Sequence, residues 1–343
     1  MGTYLGRVSR AGPVTRVGDT PGARRALEWL LGHDQPAVRR YALVDLLGRP
    51  EADPEVRSAR DQVPRRGWAA DILRRQDPGG YWERREPRTV KEWLYFLWFP
   101  EFSSTIWNLL VLSDLGLTKR DARIRKAVEM VFRYKLQTSS MINLYTEEMC
   151  AVGNTARALT RFGYLDDPRV GRLFRWILED QRANGGWHCA PDLPGTLDAW
   201  EPLAALAAVP KPARTPAMDR AIERGAEFYL ERELFREGAR YGPWFRFHFP
   251  AHYFYDIFVG LDVLTSLGYG GDPRLGAALS VLRTKRRKDG SWAIDAVHPD
   301  AGRGQVHLHV KKAHPLQPER IGRPSKWLTL TALRILRRVE AAR

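Results

Sequence analysis

The chain has 343 residues, of which 44% are hydrophobic and 28% are charged, a composition typical of globular proteins. No apolar run approaches the roughly 18 residues of a transmembrane helix, the first residues lack the apolar core of a signal peptide, and two cysteines are too few for a disulfide framework, so we expect a cytoplasmic protein. The net charge of +15 would attract an anionic partner, but the arginines are scattered, which favours a solvated basic surface over nucleic-acid binding.

Helical periodicity begins after residues 1–20, which we expect to form an irregular arm. Residues 22–31 and 36–47 each place apolar side chains on one helical face. The second segment is the first to end in a recurring signature, in which glycine is followed by aspartate four or five residues later. The pairs are Gly48 and Asp53, Gly116 and Asp121, Gly163 and Asp167, and Gly268 and Asp272. Glycine suits a left-handed helix C-cap and aspartate suits an N-cap, so each pair predicts the tight turn of an αα-hairpin.

A second signature, Gln/Arg-x3-Gly-x-Trp, occurs three times at a constant spacing of 105 residues. Its tryptophans are Trp82, Trp187 and Trp292. A constant period with a repeated aromatic residue is typical of a repeat architecture.

The two signatures alternate along the chain and divide the helices into two sets. The set that follows the aspartate turns is expected at 54–75, 121–136, 168–181, 217–233 and 272–287. The other set is shorter and more apolar, and is expected at 37–47, 104–115, 152–162, 199–208, 255–267 and 326–340. Helices that are apolar on most sides lie inside. We therefore predict an all-α protein, an α/α-toroid whose six or so inner and six or so outer helices form one domain over residues 21–343.

The Gln-x3-Gly-x-Trp turns resemble the QW repeats of squalene–hopene cyclases and the equivalent turns of protein prenyltransferase β-subunits. The resemblance covers residues 22–340 and implies a bacterial relative with a single toroid. It implies a terpenoid cyclase fold and a small apolar or isoprenoid-like substrate in a central aromatic cavity. That superfamily includes zinc enzymes, acid-initiated cyclases and non-enzymatic binding modules, so the resemblance leaves the reaction open.

The loops that join each outer helix to the next inner helix are long and emerge at one rim, which we expect to open into the cavity. Asp256 follows an aromatic stretch in one of these loops. Desolvation there would raise its pKa and make it a general acid, with His252 or Tyr255 as the orienting partner and His248 close by. The alternative is that Asp256 only stabilises the N-terminus of its helix. The Asp-x-Asp-Asp motif of squalene–hopene cyclases is absent.

A zinc site is the second hypothesis for this rim. Cys150, Cys189 and His188 would supply three ligands to Zn²⁺ and leave a fourth position open. The Asp-x-Cys pair of prenyltransferase β-subunits has no counterpart, because Asp180 and Asp192 are wrongly spaced from Cys189. The alternative is that the cysteines are small buried residues.

Aromatic residues concentrate where the long loops enter the inner helices, which suits a bulky apolar ligand. We expect the substrate to contact Arg84, Trp98, Phe102, Trp107, Asn154, Trp200 and Trp244. The leading interpretation is an enzyme, a cyclase, transferase or hydrolase, that uses acid/base or zinc-assisted chemistry. The alternative is a non-catalytic toroid that binds a lipid or a peptide.

Overall fold

The computed structural model describes residues 20–83, 85–86, 104–135, 149–190, 193–251, 254–296 and 319–343. The regular secondary structure of these residues is almost entirely helical, which confirms the all-α prediction for this part of the chain. The short strand β1 (Trp292–Ala293) pairs antiparallel with β2 (Pro324–Ser325). None of the described helices is both long enough and apolar enough to cross a membrane.

The α-helices are α1 Pro21–Leu30, α2 Pro36–Tyr41, α3 Pro54–Gln62, α4 Gly67–Arg74, α5 Thr105–Asp114, α6 Ala122–Lys135, α7 Met149–Phe162, α8 Pro168–Glu179, α9 Glu201–Ala208, α10 Pro216–Glu231, α11 Ile257–Ser266, α12 Gly276–Thr284 and α13 Lys326–Ala341. Helix α2 continues directly into a π-helical segment, Ala42–Leu46.

Two predicted outer helices differ from the structure. The helix expected at 54–75 is interrupted between α3 and α4, because Pro64 has no N–H to continue the helix and Gly67 has a left-handed φ of 73°. The helix expected at 272–287 begins as a 3₁₀ turn, Pro273–Leu275, before α12, and α12 ends at Thr284.

The predicted glycine and aspartate turns are confirmed. The four glycines at the helix ends have φ values of 68–100°, and they are Gly48, Gly116, Gly163 and Gly268. Each aspartate accepts a hydrogen bond from the backbone N–H two residues later, at 2.8–2.9 Å, and these are Asp53, Asp121, Asp167 and Asp272. The glycines therefore adopt the left-handed conformation at the helix ends, and the aspartates cap the following helices, as the sequence predicts.

Six of the helices pack in an order that returns to its start. Helix α5 contacts α7, α7 contacts α9, α9 contacts α11, α11 contacts α13, and α13 contacts α2. The turn after α5 lies against α2, since a Cβ atom at Gly116 would be 2.8 Å from the Tyr41 hydroxyl. Helices α7 and α9 approach most closely at Gly153, where an added Cβ would lie 2.4 Å from the backbone carbon of Glu201.

The remaining helices lie against these six. Helices α4 and α6 contact α5, α8 contacts α7, α10 contacts α9, α12 contacts α11, α1 contacts α13 and α3 contacts α2. Burial separates the two sets: α5 is buried continuously from Thr105 to Ser113, whereas α8 buries one face through Val170, Leu173 and Ile177. This is the difference that the apolar content of the two sets predicts.

The three Gly-x-Trp turns share one hydrogen bond. The indole N–H of each tryptophan donates, at 2.8 Å, to the carbonyl of the residue ten positions earlier, which is the third residue from the end of the preceding helix. These bonds are Trp82 to Ile72, Trp187 to Ile177 and Trp292 to Leu282. In two of the turns the tryptophan backbone N–H also donates to the side-chain hydroxyl of a threonine. These bonds are Trp82 to Thr105 in α5 and Trp292 to Thr329 in α13.

The glutamine of the signature crosses to the next outer helix. Gln181 Nε2 donates to the carbonyls of Gly185 and Ala221, at 2.8 and 2.9 Å. Gln76 makes the equivalent bonds to Gly80 and Arg123, both at 3.1 Å. The third copy has arginine instead, and its guanidinium lies over the Trp292 ring.

We expect Gly185→Ala to destabilise the protein by at least about 2 kcal/mol. Gly185 has a φ of 88°, and a Cβ there would be 2.5 Å from the Arg224 carbonyl oxygen, so the turn must distort. Gly171 in α8 is the matched control, because a Cβ at that position meets nothing within 4 Å. Gly171→Ala should stabilise the protein by about 0.5–1 kcal/mol. Urea unfolding of both variants measures the difference, and equal midpoints would contradict this account of the turn.

Candidate functional site

A cavity of about 440 Å³ lies between α2, α5, α7, α9, α11 and α13, which we call the cavity-side helices. Its aromatic lining comes from Tyr41, Trp200, Phe249, Phe258 and Trp327. Phe249 and Trp327 stack with their ring centroids 4.7 Å apart. An enclosed aromatic wall of this kind suits a bulky apolar ligand.

The cavity changes character along its length. Helix α13 contributes Trp327 and Leu328 at its start and Arg334 and Arg338 near its end, and α11 contributes Phe258 at its start and Asp262 one turn later. The charged residues of the lining are Arg40, Asp114, Arg157, Arg161, Asp262, Arg334 and Arg338. One end is therefore aromatic and the other is charged, with more arginine than aspartate.

The charged end is also the one that reaches solvent. Gly116 and Thr118, in the short turn after α5, line the cavity, and the side chains of Arg161 and Arg338 are 38% and 33% exposed. The sequence predicted an opening at the rim of the long loops. Among the described residues, the stacked Phe249 and Trp327 lie at that end, with Trp68 packed on Phe249, and most of the long-loop residues lie outside the described ranges.

A buried ion pair forms part of the cavity wall. His248 lines the cavity, and its Nδ1 lies 2.7 Å from Asp256 Oδ2. Both side chains are almost completely buried, at 1% and 0% exposure. The other ring nitrogen, Nε2, lies 3.3 Å from the Ala251 carbonyl oxygen. The structure thus gives Asp256 a histidine partner, as the sequence suggested, but the partner is His248.

Asp256 is held on both of its oxygens. Oδ1 accepts the Val259 N–H at 2.8 Å, which makes Asp256 the N-cap of α11, and Oδ2 also accepts the His248 N–H at 3.2 Å. Donors to a carboxylate stabilise its charged form. Tyr255 does not orient Asp256 through its hydroxyl, because that hydroxyl donates to the Leu234 carbonyl at 2.8 Å.

Protonation of His248 follows from this environment. Burial opposes the imidazolium, but the charge of Asp256 and the hydrogen bond to it outweigh burial and raise the pKa of His248 above its ordinary value of 6.5. A raised pKa favours the imidazolium form of His248, which has a fixed partner on the wall of an aromatic cavity. Groups of this kind are candidates for acid/base catalysis.

Two further buried ionisable residues lie beside the cavity, and sequence reasoning either missed them or gave them no role. Arg157 is 5% exposed, and its Nε has no hydrogen-bond partner in the part of the chain that the structure describes. Glu201 is 0% exposed, and neither of its carboxyl oxygens has a partner within the same described ranges. Burial, followed by the proximity of Cys189, raises the pKa of Glu201 well above its ordinary value. Position on an apolar helix was the only sequence signal for either residue.

The other predicted contact residues lie elsewhere. Trp200 lines the cavity as expected, but Trp107, Asn154 and Trp244 do not. Trp244 donates its indole N–H to Asp198 Oδ1 at 2.8 Å, and Asn154 accepts a hydrogen bond from Arg157 Nη2 at 3.1 Å. Arg84, Trp98, Phe102 and His252 lie outside the described residues.

The predicted zinc ligands do not come together. Among the described residues, no group of three or more histidine, cysteine or acidic side chains has a geometry that could hold a metal ion. Cys150, Cys189 and His188 are all described, so they do not form the expected three-ligand set. His188 Nδ1 instead accepts the Ala190 N–H at 2.8 Å, which directs this nitrogen to the backbone.

No protein-family model matches the chain, and no curated protein matches it. Among solved structures, the chain is similar to the type II terpene cyclase MstE from Scytonema, with 17% identity over 90% of this chain and 88% of that one and a TM-score of 0.42. A variant of the same enzyme in complex with geranylgeranyl dihydroxybenzoate gives 16% identity, 90% and 87% coverage and a TM-score of 0.41. These values do not establish a family, and the chemistry is therefore derived from the cavity itself.

The His248 pair predicts a pH-dependent stability. A pKa that is higher in the folded state gives a stabilisation that is complete below the unfolded value of about 6.5 and is lost as the pH rises through the folded value. We expect the free energy of unfolding of the wild type to exceed that of His248→Gln by more at pH 6 than at pH 9. The exposed His33 provides the control His33→Gln for loss of a histidine. A His248→Gln difference that is constant with pH would mean that folding does not change the pKa of His248, and a difference that grows with pH would mean that folding lowers it.

Proposed function

We propose that residues 21–343 form a single α/α-toroid in which α2, α5, α7, α9, α11 and α13 are the inner helices. The support is the order of helix contacts, which leads from α5 through α13 and back to α2. A second support is the repeated indole bond, which ties the end of an outer helix to the start of the next inner segment three times.

We propose that the protein is an enzyme that acts on an isoprenoid-like substrate in the central cavity by proton transfer. The observation that carries this proposal is the buried pair of His248 and Asp256 on the wall of an aromatic cavity. His248 is the general acid, and Asp256 is a positioning residue that holds the imidazolium by its Nδ1–H. The Nε2 proton, now near the Ala251 carbonyl, is the one available to a substrate.

The strength of this acid limits the substrate. An imidazolium whose pKa is raised is a weak acid, and a proton is transferred efficiently only to a group of comparable basicity. An oxygen atom, as in an epoxide or a carbonyl, meets this condition far better than a bare alkene. Protonation of the oxygen leaves positive charge on the neighbouring carbons, which the ring faces of Phe249 and Trp327 can stabilise. The neutral imidazole then accepts a proton from the resulting cation, so the reaction is a rearrangement or a cyclisation.

A non-catalytic module that binds a lipid or a peptide is the second candidate. Both ring nitrogens of His248 already have protein partners, and Asp256 caps α11. A purely structural ion pair would have the same contacts. The two functions differ in turnover, not in binding.

We expect the terminal epoxide of farnesol to be converted by the wild type and much more slowly by His248→Gln. The variant loses the acid but keeps a polar side chain of similar size, so kcat should fall by about 10²–10⁴-fold while KM changes by less than about threefold. Product analysis by gas chromatography–mass spectrometry measures both. The double variant Cys150→Ala, Cys189→Ala is the control that separates this chemistry from zinc catalysis, and its rate should remain near that of the wild type.

Two results would overturn the enzyme proposal. If the wild type binds the epoxide, as measured by tryptophan fluorescence, and does not convert it or the matching aldehyde, then the binding module is the better description. If the cysteine double variant loses activity and His248→Gln keeps it, the acid/base role belongs elsewhere.

A further inference from the structure

Arg157 carries a buried charge that the described residues do not balance. Its side chain is 6% exposed, and the carboxylate of Asp114 is 4.0 Å away. The same Asp114 oxygen is already held by Arg161 Nη1. The hydrogen bond from Arg157 Nη2 goes to a neutral group, the Asn154 amide oxygen, at 3.1 Å. A buried guanidinium without a close counter-charge is costly, and burial accordingly lowers the pKa of Arg157.

The arginines around Arg157 are better compensated. Arg338 Nη1 lies 2.8 Å from Asp262 Oδ1, Arg334 is paired with Asp45, and Arg40 Nη2 lies 2.6 Å from Glu51 Oε1. Arg157 is therefore the arginine of the cavity lining whose charge is least satisfied by the described part of the chain. Because the lining has five arginines and two aspartates, the unmet charge is positive.

Trp200 supplies a second unmet donor in the same wall. The Arg157 guanidinium carbon lies 5.0 Å from the centroid of the Trp200 ring, and both residues line the cavity. The Trp200 indole N–H and Arg157 Nε are buried and have no acceptor among the residues described. Both donors belong to residues that line the cavity, and a buried donor without an acceptor is unusual in a folded protein, which marks this part of the wall as polar and incompletely satisfied.

Glu201 does not supply the missing charge. It interacts electrostatically with Arg157, but no ion pair within 4.0 Å joins the two among the described side chains. Burial, followed by the nearby Cys189, raises the pKa of Glu201 well above its ordinary value, which favours the uncharged form of its carboxyl group. Among the described carboxylates only Asp114, which is shared with Arg161, lies within 4.0 Å of the Arg157 guanidinium, so an anion bound in the cavity would supply the counter-charge that these residues do not.

We infer that the charged end of the cavity binds an anionic head group of the substrate, a carboxylate or a phosphate, with the Arg157 guanidinium as its principal ligand. This inference rests on the proposed function, since it concerns the same cavity, and it narrows the substrate to an amphiphile. The apolar body extends toward Phe249 and Trp327, and the head group remains near the solvent-exposed arginines. His248 then acts on the part of the molecule that is farthest from the head group.

The experiment compares three ligands with one hydrocarbon chain: farnesol, farnesoic acid and farnesyl monophosphate. Binding to the full-length protein is measured by tryptophan fluorescence and checked by calorimetry. At least one of the two anions should bind the wild type at least tenfold more tightly than the alcohol, and the better anion identifies the head group. In Arg157→Gln this preference should fall below threefold, while the affinity for farnesol stays within twofold of the wild type.

Two further variants make the result specific. Arg175→Gln changes the net charge by the same amount at an exposed site on α8, and it should leave the tenfold preference intact. Arg157→Lys restores the charge but not the planar donor group, and it should recover part of the preference. Because Arg157→Gln removes an uncompensated buried charge, its thermal unfolding midpoint should be no lower than that of the wild type.

The outcomes separate this inference from the proposed function. Equal affinity of the wild type for the alcohol and both anions overturns the head-group site and leaves the apolar cavity and the role of His248 standing. An anion preference that survives in Arg157→Gln assigns the head group to other residues and also overturns the inference. If none of the three ligands binds, the proposed substrate class fails, and the head-group site fails with it.

Discussion

The helical array depends on the indole N–H of one tryptophan per repeat. The last four carbonyls of an α-helix have no partner within the helix. In α4, α8 and α12 one such carbonyl receives the indole proton of the tryptophan ten residues later, in a buried position. Leaving a buried carbonyl unpaired costs about 1–3 kcal/mol, so in α8 and α12 the indole bond stabilises the position at which the helix ends. In α4 it adds to a second bond, because the Ile72 carbonyl also accepts the Arg75 N–H at 3.1 Å. These turns therefore help to set the positions of the cavity-side helices and of the side chains that line the cavity.

A buried charged group needs a partner, and the described part of the cavity wall contains one group that has a partner and one that lacks it. His248 and Asp256 are completely buried, and each satisfies the other, with Val259 N–H and Ala251 O completing the set. Arg157 is equally buried and lacks such a partner among the described residues. A compensated pair persists without a ligand, whereas an uncompensated charge is stabilised when a ligand of opposite sign arrives. The first arrangement suits a group that performs chemistry, and the second suits a group that binds.

Sequence reasoning succeeded where the chemistry is local. The glycine and aspartate turns follow from φ preferences and capping within six residues, and the structure confirms all four. It failed where the answer depends on tertiary contacts. Tyr255 was expected to orient Asp256, but its hydroxyl donates to the Leu234 carbonyl and His248 lies against the carboxylate instead. His252, the other expected partner, lies outside the described residues. The stacking of Phe249 on Trp327 joins segments far apart in sequence, so no local pattern could have predicted it. The sequence did not single out Arg157, because its importance depends on the lack of a close counter-charge among the described residues, which only the structure shows.

The separation of the two ends of the cavity also has an electrostatic reason. Trp327 and Arg338 are eleven residues apart on α13, about 16 Å along the helix axis at 1.5 Å per residue. At an effective dielectric constant of about 20, two positive charges repel by about 4 kcal/mol at 4 Å and by about 1 kcal/mol at 16 Å. A substrate cation formed beside Trp327 is thus spared most of the repulsion from Arg338. If the head group carries a negative charge, it reduces that repulsion further. Arginines placed beside His248 would raise the energy of the cation and oppose the same reaction. The proposed proton transfer therefore depends on the separation between the aromatic end and the charged end of the cavity.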